Sequence, residues 1–196
     1  MRLLLTILLL IRLASSGEVM PIEIPLQGEA ADRSLEMSGL AWYGGYLILM
    51  PQYVNKKAPG FYFISKKKIN EWLDGDRSKA LKPGKIDLIV PDYDNLIGGY
   101  QGFEGLCFSG NKVYLLMESK NDGVMSSYIV TGTMDFKKKR LEIEQGKIEE
   151  IRPPMNIKNM GYESILKHKY RLSVTSVMRY SILGNDTDSL CFNDVV

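Results

Sequence analysis

One segment recurs three times along the chain, and it restricts the fold more than any other feature. The copies are Ser38-Gly39-Leu40-Ala41-Trp42, Glu104-Gly105-Leu106-Cys107-Phe108 and Glu163-Ser164-Ile165-Leu166-Lys167, offset by 66 and then 59 residues. Each is followed by a short polar turn and a second apolar run, so the repeated unit reads as an antiparallel strand pair. Unequal spacing of this size suits blades with loop insertions better than a tight solenoid. The expected fold is all-β: an incomplete β-propeller of about three four-stranded antiparallel blades with one short inserted helix.

The first blade, near residues 34–95, is read as Leu40 to Trp42, a Gly44-Gly45 turn, Tyr46 to Met50, Phe61 to Ile64, and Lys85 to Val90. Ile69, Trp72 and Leu73 fall at helical spacing, with Gly75 as a stop, which predicts the inserted helix over Lys67 to Asp74. The second blade, near 100–152, follows the same plan: Gly105 to Phe108, Val113 to Met117, Tyr128 to Thr131, and Leu141 to Ile151 interrupted at Gln145-Gly146. A third, near 159–196, begins at Glu163 and continues through Tyr170 to Val177. Beyond that the alternation fades into a polar turn at Asn185 to Asp188, with no closing strand discernible. An early strand, Ile22 to Ile24, is assigned to the blade that would close the ring. Leu40 and Leu106 should occupy equivalent environments. Rings of this type have about four to eight blades, so three do not close one. The readings are a fragment of a longer gene, which is favoured, an altered reading frame after Arg171, or assembly with further copies.

The amino terminus opens with Arg2, an apolar run from Leu3 to Ile11, and the small-residue exit Ala14-Ser15-Ser16. This is the pattern of a secretory leader over residues 1–16, interrupted only by Arg12, and it places the remaining domain, 17–196, outside the cytoplasm or in the periplasm. The run is too short for a membrane-spanning helix, so no integral segment is expected after leader removal. With 25 basic against 23 acidic residues, nothing points to nucleic acid. Lys66 to Lys68 and Lys137 to Arg140 read as solvated turns or strand edges. Cys107 lies in an apolar strand and Cys191 in the terminal segment; export permits a disulfide between them, but two cysteines do not imply one.

Chemistry concentrates where the innermost strands begin. Glu104 and Glu163 hold the same leading position, which Ser38 holds in the first copy with Glu36 two residues earlier. Carboxylates converging on one channel, helped by the amide of Asn159, would make a hard-oxygen site suited to calcium. The same groups could instead hold water, cap neighbouring blades or take part in catalysis. Gln52, Tyr53 and Glu118 return to this rim at the end of the second strands and are the candidate ligand-binding residues; Tyr53 and Gln52 could equally pack against neighbouring loops. No catalytic set is identified. His168, the only histidine, is placed away from the rim, and Leu96 to Tyr100 lacks the lysine and helix of a phosphate loop.

On Glu36 to Trp42, Leu49 to Tyr53, Gly102 to Leu106 and Asn159 to Ser164, the chain resembles bacterial secreted β-propellers related to esterase-like and phytase-like propeller proteins, over residues 34–166. The resemblance implies an exported propeller with a polar channel and calcium as the candidate cofactor. Binding of a small polar ligand or a protein partner is the leading function. The alternatives are a calcium-dependent phosphoester or ester hydrolase and a purely structural surface protein.

Overall fold

The computed structural model describes residues 21–54, 56, 59–152, 161–168, 171–181 and 187–195. The expected leader and Asn159 lie outside the described residues, as do the side chains of His168 and Cys191.

Strands dominate. β1 (Met37–Tyr43) and β2 (Tyr46–Pro51) form a hairpin closed by Tyr43 opposite Tyr46. Gly44, at φ 55°, supplies the left-handed backbone this two-residue turn needs. β3 (Gly60–Ser65) and β4 (Gly84–Ile89) complete an antiparallel meander. Helix α1 (Lys66–Asp74) interrupts it; the Ser65 hydroxyl caps it by accepting from the Lys68 N–H, and Trp72 anchors it, donating its indole N–H to the Lys79 carbonyl at 2.8 Å. Lys66 to Lys68 therefore form the first turn of a helix rather than a strand edge, and they stay exposed.

A short helix, α2 (Tyr93–Leu96), leads into the second meander: β5 (Tyr100–Ser109), β6 (Lys112–Asn121), β7 (Val124–Asp135) and β8 (Arg140–Ile151). The expected break at Gln145-Gly146 is a bulge, with Gly146 at φ 79° and the β7–β8 register shifting between Val130 and Gly132. The two meanders join where β4 pairs in parallel with β8, from Asp87 opposite Arg140 to Ile89 opposite Glu142. The eight-stranded sheet runs β1-β2-β3-β4-β8-β7-β6-β5, and its two edge strands, β1 and β5, pack against each other, giving a nearly closed, barrel-like layer.

A separate three-stranded sheet contains β9 (Ser164–His168), β10 (Arg171–Ser181) and β11 (Thr187–Val195), in the order β11-β10-β9, and β9 packs on β5. Two expectations are corrected here. The terminal segment does not dissolve into a turn: β11 pairs along its whole length with β10, Thr187 opposite Ser181 and Val195 opposite Ser173. Ile22 to Ile24 form no strand, because their stretch pairs only through an isolated parallel bridge from Leu26 to Leu81.

Side-chain alternation along each strand distributes the core into layers. Ile48 and Met50 of β2 face Phe61, Phe103, Leu115 and Met117 between the two meanders, whereas Leu49 turns to the other side with Tyr62, Ile64 and Leu35. On β6, Leu116 faces away from its neighbours into a third cluster with Cys107, Tyr162, Ile165 and Val174. The buried Cys107 thiol is free, and burial pushes its pKa up to about 11.

The repeats pack by one rule. A Cβ built on Gly39 would meet Leu106 at 2.7 Å, and one on Gly105 would meet Ile165 Cγ2 at 3.3 Å, so the third residue of each copy lies over the second residue of the copy before it. Leu106 and Ile165 are both 5% exposed as a result, but Leu40 is 64% exposed. The expected equivalence of Leu40 and Leu106 fails for a physical reason: among the described residues, no other copy packs on the outer face of β1 as β1 packs on β5.

Candidate functional site

The leading ends of β1 and β5 and the trailing ends of β2 and β6 meet at one rim. The chain leaving β2 is threaded between two backbones. The Gln52 and Tyr53 N–H groups donate to the carbonyls of Glu36 (2.7 Å) and Leu35 (3.2 Å), and the Gln52 carbonyl accepts from the Phe103 N–H at 3.1 Å. This close approach requires Gly102, whose φ of 125° and whose missing Cβ, 2.7 Å from the Gln52 carbonyl oxygen, leave no room for a side chain. Ser38 ties the rim together, its hydroxyl donating to the Phe103 carbonyl at 2.6 Å.

Within this frame the Gln52 amide donates to Glu104 Oε1 at 2.7 Å. Glu104 is only 7% exposed. Burial is the main cause that raises its pKa, to about 8; repulsion from Glu118 and Glu163 adds to it, the Gln52 hydrogen bond opposes it, and Glu36 contributes a smaller repulsion. Glu118, half-buried, is raised to about 7 by burial and then by Glu163, with Lys120 pulling the other way. Its carboxylate rests directly against Gly161, where any Cβ would collide with it. Tyr53 is raised by burial and then by the charges of Glu36, Glu104 and Glu118.

The residues expected from the sequence are thus largely brought together: Gln52, Tyr53, Glu104 and Glu118 share the rim, and Glu36 and Glu163, both exposed, border it closely enough to act on Glu104. Their oxygens suit a hard cation in kind. Among the described residues, no group of three or more His, Cys, Asp or Glu side chains is placed to hold a metal ion, and Asn159 lies outside them. What the described residues show is a buried Glu104 and a half-buried Glu118 with Glu36 and Glu163 as acidic neighbours.

Beside the pair opens a cleft of about 750 Å³ that Gln52 and Tyr53, two of the expected ligand-binding residues, line, whereas Glu118 does not; its opposite wall was not expected from the sequence. Gln52 and Tyr53 form one wall, and the segment Val90 to Asn95 with Tyr100, Gln101 and Phe103 forms the other. An ion pair between Lys56 and Asp94 joins the two walls. The Tyr93 hydroxyl is buried and, among the described residues, has no hydrogen-bond partner. The signal for this wall was the run Pro91-Asp92-Tyr93-Asp94-Asn95, whose turn formers and aromatic ring lie between β4 and β5.

No protein-family model matches the sequence, and no curated protein matches it. Among the described residues, no helix is long and apolar enough to cross a membrane.

Proposed function

We propose that this chain is part of an exported β-propeller that binds a small polar ligand at the face where β1, β5 and β9 begin. The observation that carries the reading is the double role of Gln52, which lines the cleft and also donates to the buried Glu104 carboxylate. The carboxylate pair therefore stands one hydrogen bond behind the cleft wall. With pKa values of about 8 and about 7, Glu104 and Glu118 offer both O–H donors and carboxylate acceptors near neutral pH. Tyr53 and Tyr100, backed by the fully buried Phe103, supply flat apolar surface beside Asp92, Asn95 and Gln101. Aromatic walls with a few fixed polar groups are the usual composition of a small-molecule site. The propeller reading is supported by the successive packing of β1 on β5 and β5 on β9.

No observation at the cleft favours hydrolysis over binding. The test is a thermal-shift screen of monosaccharides, disaccharides and small organic amines, followed by calorimetric titration, because a ligand that binds only the folded chain raises its melting temperature. Saturable binding that weakens on Gln52→Ala and on Tyr53→Ala supports the reading. Binding indifferent to both substitutions, or no binding by any member of the panel, defeats it.

A further inference from the structure

We infer that the ligand of the cleft is an organic cation, an ammonium-bearing molecule that rests against Tyr53 and Tyr100 and is held by the carboxylates of Asp92 and Asp94. Given the cleft as a ligand site, as proposed above, its charge decides which class of ligand it takes.

The cleft already holds one ammonium, its own. Lys56, on the side of Gln52 and Tyr53, pairs with Asp94 in the opposite wall. The Asp94 hydrogen bond and then its charge hold the Lys56 ammonium above its usual pKa; desolvation opposes them, and the charge of Asp92 adds a smaller push in the same direction. Two carboxylates therefore act on one cation. Among the described residues, Lys56, Asp92 and Asp94 are the only charged side chains that line the cleft, so its lining carries one negative charge in excess. The side chain of Lys56 is 83% exposed and that of Asp94 44%. An ion pair this open contributes little stability, so an ammonium from outside can take the place of Lys56 at low cost.

The surroundings favour the same sign of charge. Tyr53 lines the cleft, and after desolvation it is the charges of Glu36, Glu104 and Glu118 that raise its pKa, so these carboxylates act on the ring a ligand would touch. An anion would be repelled by them. A cation is attracted both by them and by the negative faces of the Tyr53 and Tyr100 rings. Tyr93, in the wall that carries Asp92 and Asp94, is 3% exposed, and its hydroxyl has no hydrogen-bond partner among the described residues. Its oxygen can accept from an ammonium N–H. A neutral sugar would use the rings and the amides of Gln52, Asn95 and Gln101, but it would gain nothing from the excess charge.

Calorimetric titration of the full chain with choline, and with the uncharged isostere in which a tert-butyl group replaces the trimethylammonium, separates charge from shape. Choline should bind about tenfold more tightly than the isostere. Lys56→Ala removes the internal competitor and should tighten choline binding about two- to fivefold. Asp92→Asn leaves the Lys56–Asp94 pair in place and keeps an oxygen for the Asn95 amide, and it should weaken choline binding about fivefold. The lysine variant discriminates most sharply, because an anionic ligand would lose affinity on the same substitution. Equal affinity for choline and its isostere, or choline binding that is unchanged or weakened by Lys56→Ala, would overturn the inference. Binding of a neutral sugar that depends on Gln52 and Tyr53, in a chain that ignores choline, would overturn it while leaving the cleft a ligand site. Binding of neither would defeat both readings.

Discussion

Replacing Glu104 by Gln should remove most of a pH-dependent instability built into the rim. The folded chain holds the Glu104 proton up to about pH 8, whereas an unperturbed glutamate loses it near 4.5. Between these values the folded state binds more protons than the unfolded state, so stability falls as pH rises through the window and levels off above it. At about 1.4 kcal/mol per pH unit the full interval corresponds to about 5 kcal/mol, of which about 2 kcal/mol falls between pH 6 and pH 8. Glu118 acts in the same direction, with its window ending near pH 7. The amide of Glu104→Gln keeps the volume and an oxygen that can accept from Gln52, but it carries no charge to desolvate or repel. Urea unfolding of both proteins at pH 6, 7 and 8 measures the difference directly. The parent should lose stability across the series and the variant should lose about 2 kcal/mol less, because other titrating groups cancel in the comparison. Parallel pH profiles for the two proteins, or a parent more stable at pH 8 than at pH 6, would refute the argument that Glu104 is held protonated by burial and by its acidic neighbours.

Other perturbations separate backbone, core and surface contributions. Gly102→Ala meets both an unfavourable φ and the Gln52 carbonyl oxygen and should cost about 2–4 kcal/mol, whereas Gly110→Ala, at φ 61° with open space around it, should cost about 1 kcal/mol; chemical denaturation of the pair checks the contrast. Tyr93→Phe removes a buried hydroxyl without a partner among the described residues, so stability should stay within about 1 kcal/mol of the parent or rise, while any ligand affinity that uses this hydroxyl falls. Phe103→Ala empties the fully buried position that joins Phe61 and Tyr93 and should cost about 3–5 kcal/mol in the same assay. In a Cys191→Ser background, Cys107 should resist thiol reagents at neutral pH until the chain unfolds, because its thiol is buried and its pKa stands at about 11.

What was legible in the sequence was local. The Gly44-Gly45 and Gly110-Asn111 turns, each between alternating apolar runs, fix the β1–β2 and β5–β6 hairpins, and strand length alone then carries Gln52 and Glu118 back to the rim where Glu104 begins. Pairing between distant segments was not legible. The parallel joint from Asp87 to Arg140 rests on three residue pairs separated by β5, β6 and β7. β11 alternates too weakly around Thr187, Asp188 and Ser189 to announce itself, and its strand character comes from its pairing with β10. The second wall of the cleft escaped for a related reason, since α2 spans four residues and presents no periodicity to detect.

The leading position of the repeat shows how far neighbours, rather than residue type, determine chemistry. Ser38, Glu104 and Glu163 occupy corresponding places, yet only Glu104 is flanked by a copy on both sides, and only Glu104 among them is buried. Glu163, the same residue type at the open end, is exposed. The elevated pKa of Glu104 is therefore a property of enclosure by adjacent repeats.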